Sequence, residues 1–152
     1  GIGLVHTLYC DFRIAGDMAK FGTAFAQRGL IAEYGIAWLL PRLVGIENAA
    51  DLLYTARIID AQEALRMGLV SRVVPHDELL PTARAFATQL VTQSSPRSLR
   101  VMKRQLWHAL FNRLGPSVDL AVNEMMESFG SDDFREGVTA FMEKRPPQFT
   151  GK

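Results

Sequence analysis

Leu53-Tyr54-Thr55-Ala56-Arg57-Ile58-Ile59-Asp60-Ala61-Gln62-Glu63-Ala64-Leu65-Arg66-Met67-Gly68-Leu69-Val70-Ser71-Arg72-Val73-Val74-Pro75 is the stretch whose reading decides the fold. Its first residues complete a helical pattern over 46–55. Asp60 can then cap a second helix over 60–67, because its carboxylate can accept from a free N–H in the first turn. Val70 to Val74 reads as a strand, and Pro75 closes it by removing a donor. Two helices and a strand in quick succession give a mixed α/β front half.

The pattern extends in both directions. Residues 1–10 open on Gly1-Ile2-Gly3 and carry Leu4, Val5 and Leu8 at helical spacing. Residues 11–15 alternate polar and apolar, as a short strand does, Gly16-Asp17 turns, and Ala19 to Gly22 is another strand candidate. A helix is expected over 33–44, with Glu33 in its first turn and Gly45 beyond its end; Pro41 should bend it or end it early. From Asp77 onward the pattern is amphipathic helix throughout: over 77–91, after Pro96, over 116–129, and after a Ser131 cap until Pro146-Pro147. The division expected is 1–76, mixed, and 77–152, all helical. Three strand candidates are too few for a sheet covered on both faces, so further strands are expected upstream of Gly1. The start on Gly1 rather than Met carries the same expectation.

Composition narrows the classes. With 48% hydrophobic and 22% charged residues, the 152-residue chain has the balance of a globular protein that can bury a core. A formal net charge of +1 supplies no long-range field to draw nucleic acid or an anionic membrane, so neither is an expected partner. No apolar run approaches the roughly 18 residues of a membrane span, and a soluble, cytoplasmic protein is expected. One cysteine, Cys10, excludes an internal disulfide framework; its apolar neighbours suggest a buried thiol. His6, His76 and His108 lack ligand spacing, so no metal site is expected, and His6 reads as a core or interface residue. Arg97, Arg100, Lys103 and Arg104 read as the solvated face of a helix.

Several blocks, in order, resemble the crotonase superfamily, the enoyl-CoA hydratase/isomerase family. They are Phe21-Gly22 with Gly29-Leu30, Leu40-Pro41-Arg42-Leu43-Val44-Gly45, the stretch quoted at the outset, Ser95-Pro96 with Lys103, and Asp133-Phe134-Arg135-Glu136-Gly137 through Arg145. Each block alone is weak, and their joint order carries the resemblance. It covers nearly the whole chain. What it implies is a crotonase-like spiral of short strand-helix turns followed by a helical trimerisation region. The implied partners are an acyl-CoA thioester and further copies of the chain in a homo-trimer or hexamer. No cofactor is implied, coenzyme A being part of the substrate.

The resemblance also assigns roles. Members hold the thioester oxygen with two backbone N–H groups; one would lie upstream and the other matches Ile2. A helix that opens on glycines offers unpaired N–H groups to an enolate oxygen, which suits that role. The family's hydratases use two glutamates to add water; the matching positions here hold Val5 and Phe25, which move no proton. Glu33 matches the catalytic carboxylate of the enoyl-CoA isomerases, where one carboxylate suffices to shift a proton between C2 and C4. Its neighbours Leu30, Ile31, Tyr34 and Ile36 would strip water from it and strengthen it as a base. Phe141 and Lys144 match an aromatic ring and an ammonium that meet the adenine and phosphate of coenzyme A. Isomerisation is the favoured expectation. A hydratase using Glu33 or an upstream carboxylate, and a non-catalytic acyl-CoA-binding module, are the alternatives.

Overall fold

The computed structural model describes residues 1–152, which separate into two compact units, Gly1–Ala83 and Arg84–Lys152. The first unit opens with helix α1 (Ile2–Leu8), which buries Leu4, Val5 and Leu8 on one face. Strands β1 (Ile14–Gly16) and β2 (Lys20–Phe21) follow, then a 3-10 turn at Ala26–Arg28. Helices α2 (Ile36–Val44) and α3 (Ile46–Thr55) pack on each other, and α1 packs on α2. Strand β3 (Ile59–Asp60), helix α4 (Ala61–Arg66) and strand β4 (Arg72–Val74) complete the spiral.

The strands form two separate pairs. β1 runs parallel to β4, with Ile14, Ala15 and Gly16 facing Arg72, Val73 and Val74. A parallel pair needs a long crossover, and everything between the two strands supplies it. Arg13 extends the join: its carbonyl accepts from Ser71 N at 2.9 Å and its Nε donates to the Leu69 carbonyl at 2.8 Å. β2 and β3 pair antiparallel through Lys20–Asp60 and Phe21–Ile59. β3 was not expected from the sequence, because two residues are too short for alternation to register.

Val5, Ile36, Leu40, Leu52, Ile59 and Leu69 are fully buried and form the core of this unit. Burying such side chains stabilises by roughly 1.5–3 kcal/mol each before the entropy of ordering is counted. Asp60 caps α4 as expected, accepting from Glu63 N at 2.7 Å. Arg57 bridges Asp51 and Glu63, each at 2.6 Å, closing the α3-to-α4 connection. Hydrogen bonds from Arg57 hold both carboxyls below their ordinary range.

Three expectations are corrected. The helix expected over 33–44 begins at Ile36, because Tyr34 and Gly35 have φ of 54° and 77°, incompatible with a right-handed helix. Pro41 does not end it early; α2 runs to Val44. Cys10 is exposed rather than buried, and His6 is exposed and so not a core residue, since α1 turns only the face of Leu4, Val5 and Leu8 inward.

Helix α5 (Leu79–Gln93) contains the division between the units. The second unit continues with α6 (Pro96–Ala109), α7 (Leu114–Phe129) and α8 (Asp132–Glu143), α7 packing against both others. Ser95 caps α6 and Ser131 caps α8, accepting from Ser98 N at 3.0 Å and Phe134 N at 3.1 Å. Buried Asp133 takes the Ser95 hydroxyl at 2.5 Å and the Thr150 and Gly151 N–H groups at 2.8 and 3.0 Å, strapping the tail to α8. Buried Glu124 of α7 is paired with Arg104 of α6. The apolar stripe of α7, including Val118, Val122, Met125 and Met126, faces outward and is exposed.

No helix is long and apolar enough to cross a membrane, and no group of three or more potential metal-ligating side chains is present.

Candidate active site

Ile2 and Glu33, far apart in sequence, line one cavity of about 300 Å³. Two local features bring them there. α1 starts against the loop after β2: the Gly1 N donates to the Gly22 carbonyl, and buried Thr23 donates to the Leu52 carbonyl at 2.8 Å. Ile2 is the first residue of α1, so its N–H has no acceptor one turn back. Glu33 sits on the connection between the 3-10 turn and α2, half-buried.

A tight bend follows Glu33. The Glu33 carbonyl accepts from Ile36 N at 3.1 Å, and the two residues between them both have positive φ. This is the torsional pattern of a type I′ turn, for which glycine at Gly35 is suited and Tyr34 is not. The Tyr9 hydroxyl donates to the Tyr34 carbonyl at 2.8 Å. Of the four neighbours expected to shield Glu33, only Ile36 is buried; Leu30, Ile31 and Tyr34 are exposed.

Phe25 and Leu30 form the apolar side of the cavity and Arg28 its cationic side, with one guanidinium N–H donated to the Ala24 carbonyl at 3.0 Å. Glu33 is the one carboxylate among the lining residues. Phe25 is buried at its position, and Val5 lies wholly in the core, with no solvent exposure. The cavity can therefore hold an oxygen at a backbone donor while a single carboxylate exchanges a proton nearby.

A profile of the enoyl-CoA hydratase/isomerase family matches residues 1–152. The chain belongs to that family. A protein of Mycobacterium bovis named as a probable enoyl-CoA hydratase is 41% identical over 150 residues, which is 99% of this chain and 58% of the relative. The 1,2-epoxyphenylacetyl-CoA isomerase of Escherichia coli K12 is 38% identical over all 152 residues and 58% of its own length. The crystal structure of an enoyl-CoA hydratase from Bacillus anthracis superposes with a TM-score of 0.94 at 33% identity, covering 99% of this chain and 58% of that one. The crotonase fold is thus shared, and the chain spans under two thirds of the relatives it matches.

Phe141 and Lys144 lie apart from this cavity in sequence, in the second unit. Phe141 is on the last turn of α8 and 82% exposed, so it is not a core ring. Lys144 is the C-cap of α8, at a φ of 54°, and is exposed. Phe141 borders a cavity of about 590 Å³ with Phe134, Phe149 and Arg97. Ile2 and Glu33, named from the sequence, line the smaller cavity together, while Arg28 on its wall and Tyr9 behind Tyr34 were not singled out there. The Tyr34-Gly35 pair did offer a turn signal; nothing in the pattern marked Tyr9.

Proposed function

We propose that the chain carries the proton-transfer half of an enoyl-CoA isomerase, with Glu33 as base and the Ile2 N–H as one oxyanion donor. The observation that carries this reading is the shared cavity of Ile2 and Glu33, in which no second carboxylate stands. The Glu33 carboxylate removes a proton at C2 of a 3-enoyl thioester, and the negative charge moves onto the thioester oxygen. The Ile2 N–H stabilises that dienolate. Glu33 then returns the proton at C4, giving the conjugated 2-enoyl thioester.

Water addition by two glutamates has no support at Val5 or Phe25, both of which are apolar and buried. The Escherichia coli relative is named as an isomerase of an epoxyphenylacetyl thioester, so isomerisation occurs among the names of this lineage, although on a different substrate group. A hydratase reading is favoured by the name of the Mycobacterium bovis relative and would need Glu33 or a carboxylate from outside these residues to activate water. We also propose that Phe141 and Lys144 meet the adenine and phosphates of coenzyme A, and that the exposed apolar stripe of α7 is covered by further copies in a trimer or hexamer.

The test is Glu33→Gln in the full-length protein, with 3-enoyl-CoA turnover followed by the appearance of the conjugated thioester. Loss of a general base predicts a fall of about 10²–10⁴-fold in kcat. Unchanged turnover removes Glu33 from the mechanism. Water-dependent conversion of a 2-enoyl-CoA selects the hydratase, and binding without turnover of either substrate selects a non-catalytic acyl-CoA-binding module.

A further inference from the structure

Arg28 stands on the wall of the cavity shared by Ile2 and Glu33, on a turn that is held firmly in place. The turn closes through Arg28 N to the Phe25 carbonyl at 2.9 Å and Gly29 N to the Ala26 carbonyl at 3.1 Å. Gln27 ties it to the end of α3, donating to the Thr55 carbonyl at 3.2 Å. The guanidinium is anchored as well. Its Nη1 donates to the Ala24 carbonyl at 3.0 Å, and Ala24 holds a φ of 60° that a residue with a Cβ rarely adopts. A guanidinium offers several further N–H donors in a fixed fork, and here no carboxylate meets them. Glu33, the one carboxylate on the same cavity, makes no ion pair with Arg28. Opposite charges that share a cavity of about 300 Å³ without pairing are each left for a third partner.

We infer that Arg28 receives an anionic end of the acyl group, so that the preferred substrate is an enoyl thioester carrying a carboxylate a few carbons beyond the double bond. This rests on the assignment of the Ile2–Glu33 cavity as the reaction site. With the thioester oxygen at Ile2 and C2–C4 beside Glu33, the rest of a short acyl group meets Phe25, Leu30 and Arg28. The two apolar side chains suit its carbons. The guanidinium suits a carboxylate, which it can take through two parallel N–H···O bonds. A methyl end would push water off the guanidinium and return no hydrogen bond, so the same residue selects against a plain alkyl chain. Because turn and side chain are already fixed, little ordering is lost when the anion binds.

The test compares two six-carbon 3-enoyl-CoA thioesters in the full-length protein, one ending in a carboxylate and one in a methyl group. The readout is the ratio of their kcat/KM values. The unsubstituted protein should favour the carboxylate, and Arg28→Leu should lower that ratio by about 10- to 100-fold, the worth of hydrogen bonds to a charged partner. Arg28→Lys, which keeps the charge and loses the fork, should recover part of it. No preference in the unsubstituted protein, or a ratio unchanged in Arg28→Leu, overturns the inference. The phosphates of coenzyme A are the other anions such a substrate carries, and the matching pantetheine thioesters lack them. The preference and its loss in Arg28→Leu should persist with pantetheine; an effect confined to the CoA thioesters assigns Arg28 to phosphate and overturns the inference. Competition by the saturated six-carbon CoA thioesters reads recognition apart from chemistry. If the carboxylate form binds more tightly, and loses that advantage in Arg28→Leu, while neither enoyl thioester turns over, the Glu33 mechanism fails and the Arg28 assignment stands. If both enoyl thioesters isomerise equally well, the mechanism stands and the assignment fails.

Discussion

The Tyr9 hydroxyl reaches the Tyr34 carbonyl at 2.8 Å and so ties the end of the helix that presents Ile2 to the bend that presents Glu33. Both ends of α1 thus bear on the site. Its start supplies the Ile2 N–H, and its C-cap residue, Tyr9, holds the turn behind the carboxylate. Tyr9→Phe removes one hydrogen bond and keeps the ring. Half-exposed, that bond should cost only about 0.5–1.5 kcal/mol of stability. A carboxylate loosened by about an ångström should cost more in rate, so kcat is expected to fall roughly tenfold or more while KM changes little. Steady-state kinetics alongside a thermal melt separates the two. A parallel change in Tm and kcat, fully reversed on cooling the assay, would make Tyr9 purely structural.

Gly35 tests the same join from the other side. A Cβ there would stand 2.8 Å from the Tyr9 oxygen, on a backbone with φ of 77°. Gly35→Ala should therefore destabilise by about 1–3 kcal/mol through backbone strain. It should also displace the tyrosine hydroxyl. Chemical denaturation of the variant, and of Gly35→Ala combined with Tyr9→Phe, checks this: the double variant should recover part of the loss, because the clashing oxygen is gone.

These two residues mark where the sequence was legible and where it was not. Helices with strong apolar periodicity and a capping side chain, such as those begun by Asp60 and Ser131, were readable because their signals are local. Glu33 was read as a site residue and assigned to a helix, and the helix assignment failed because Tyr34 is not a residue that advertises a left-handed backbone. The antiparallel pair β2–β3 and the parallel pair β1–β4 join segments far apart in the chain, and pairing of that kind leaves no local trace. Cys10, and the core reading of His6, misled because a helix buries a stripe, not every residue of an apolar stretch. The meeting of Ile2 with Glu33 was expected only through resemblance; the folded chain places both on one cavity.

Val5 offers a sharp stability test of the departure from the two-glutamate pattern. The side chain has no solvent exposure, and its neighbours in the core include Leu4 and Leu8 of the same helix. Val5→Glu puts a carboxylate there without a designed partner. Stability should drop by about 2–4 kcal/mol, or the introduced group should titrate well above the ordinary carboxylate range. A urea melt at neutral and acidic pH distinguishes them: the loss should shrink as the pH falls and the carboxylate is neutralised. A variant as stable as the original at neutral pH would mean that this part of the core admits water or a partner.

Asp133 is the hub of the second unit's tail. Burial alone would push its carboxyl up, but the Ser95 hydroxyl and the N–H groups of Thr150 and Gly151 outweigh it and hold the group below its ordinary range. Asp133→Ala leaves those donors unpaired and should cost about 3 kcal/mol, with the tail freed from α8. Backbone amide exchange at Thr150 and Gly151 should accelerate before that of α7. Equal protection in the variant would show that the tail is held by other contacts.

Glu136 gives the pH dependence its direction. Arg145 brackets its carboxylate with Nη1 at 2.6 Å and Nη2 at 2.9 Å, Gln148 N–H adds a third donor at 2.7 Å, and the pKa is lowered to about 2. The ordinary value is 4.5, so the folded form binds its proton less readily than the unfolded chain does. The stabilisation is therefore complete above about pH 4.5 and is lost as the pH falls toward about 2. Asp133, also depressed, adds to the slope with the same sign. Glu136→Gln should leave a shallower acid limb, while its stability near neutrality should be lower than that of the original. Chloride at high concentration should weaken the effect only in part, since three directed donors, and not a distant field, hold the carboxylate. Thermal melts from pH 7 down to pH 2, with and without the substitution, measure that difference; superimposable acid limbs would mean that the Arg145 bracket contributes nothing to folding.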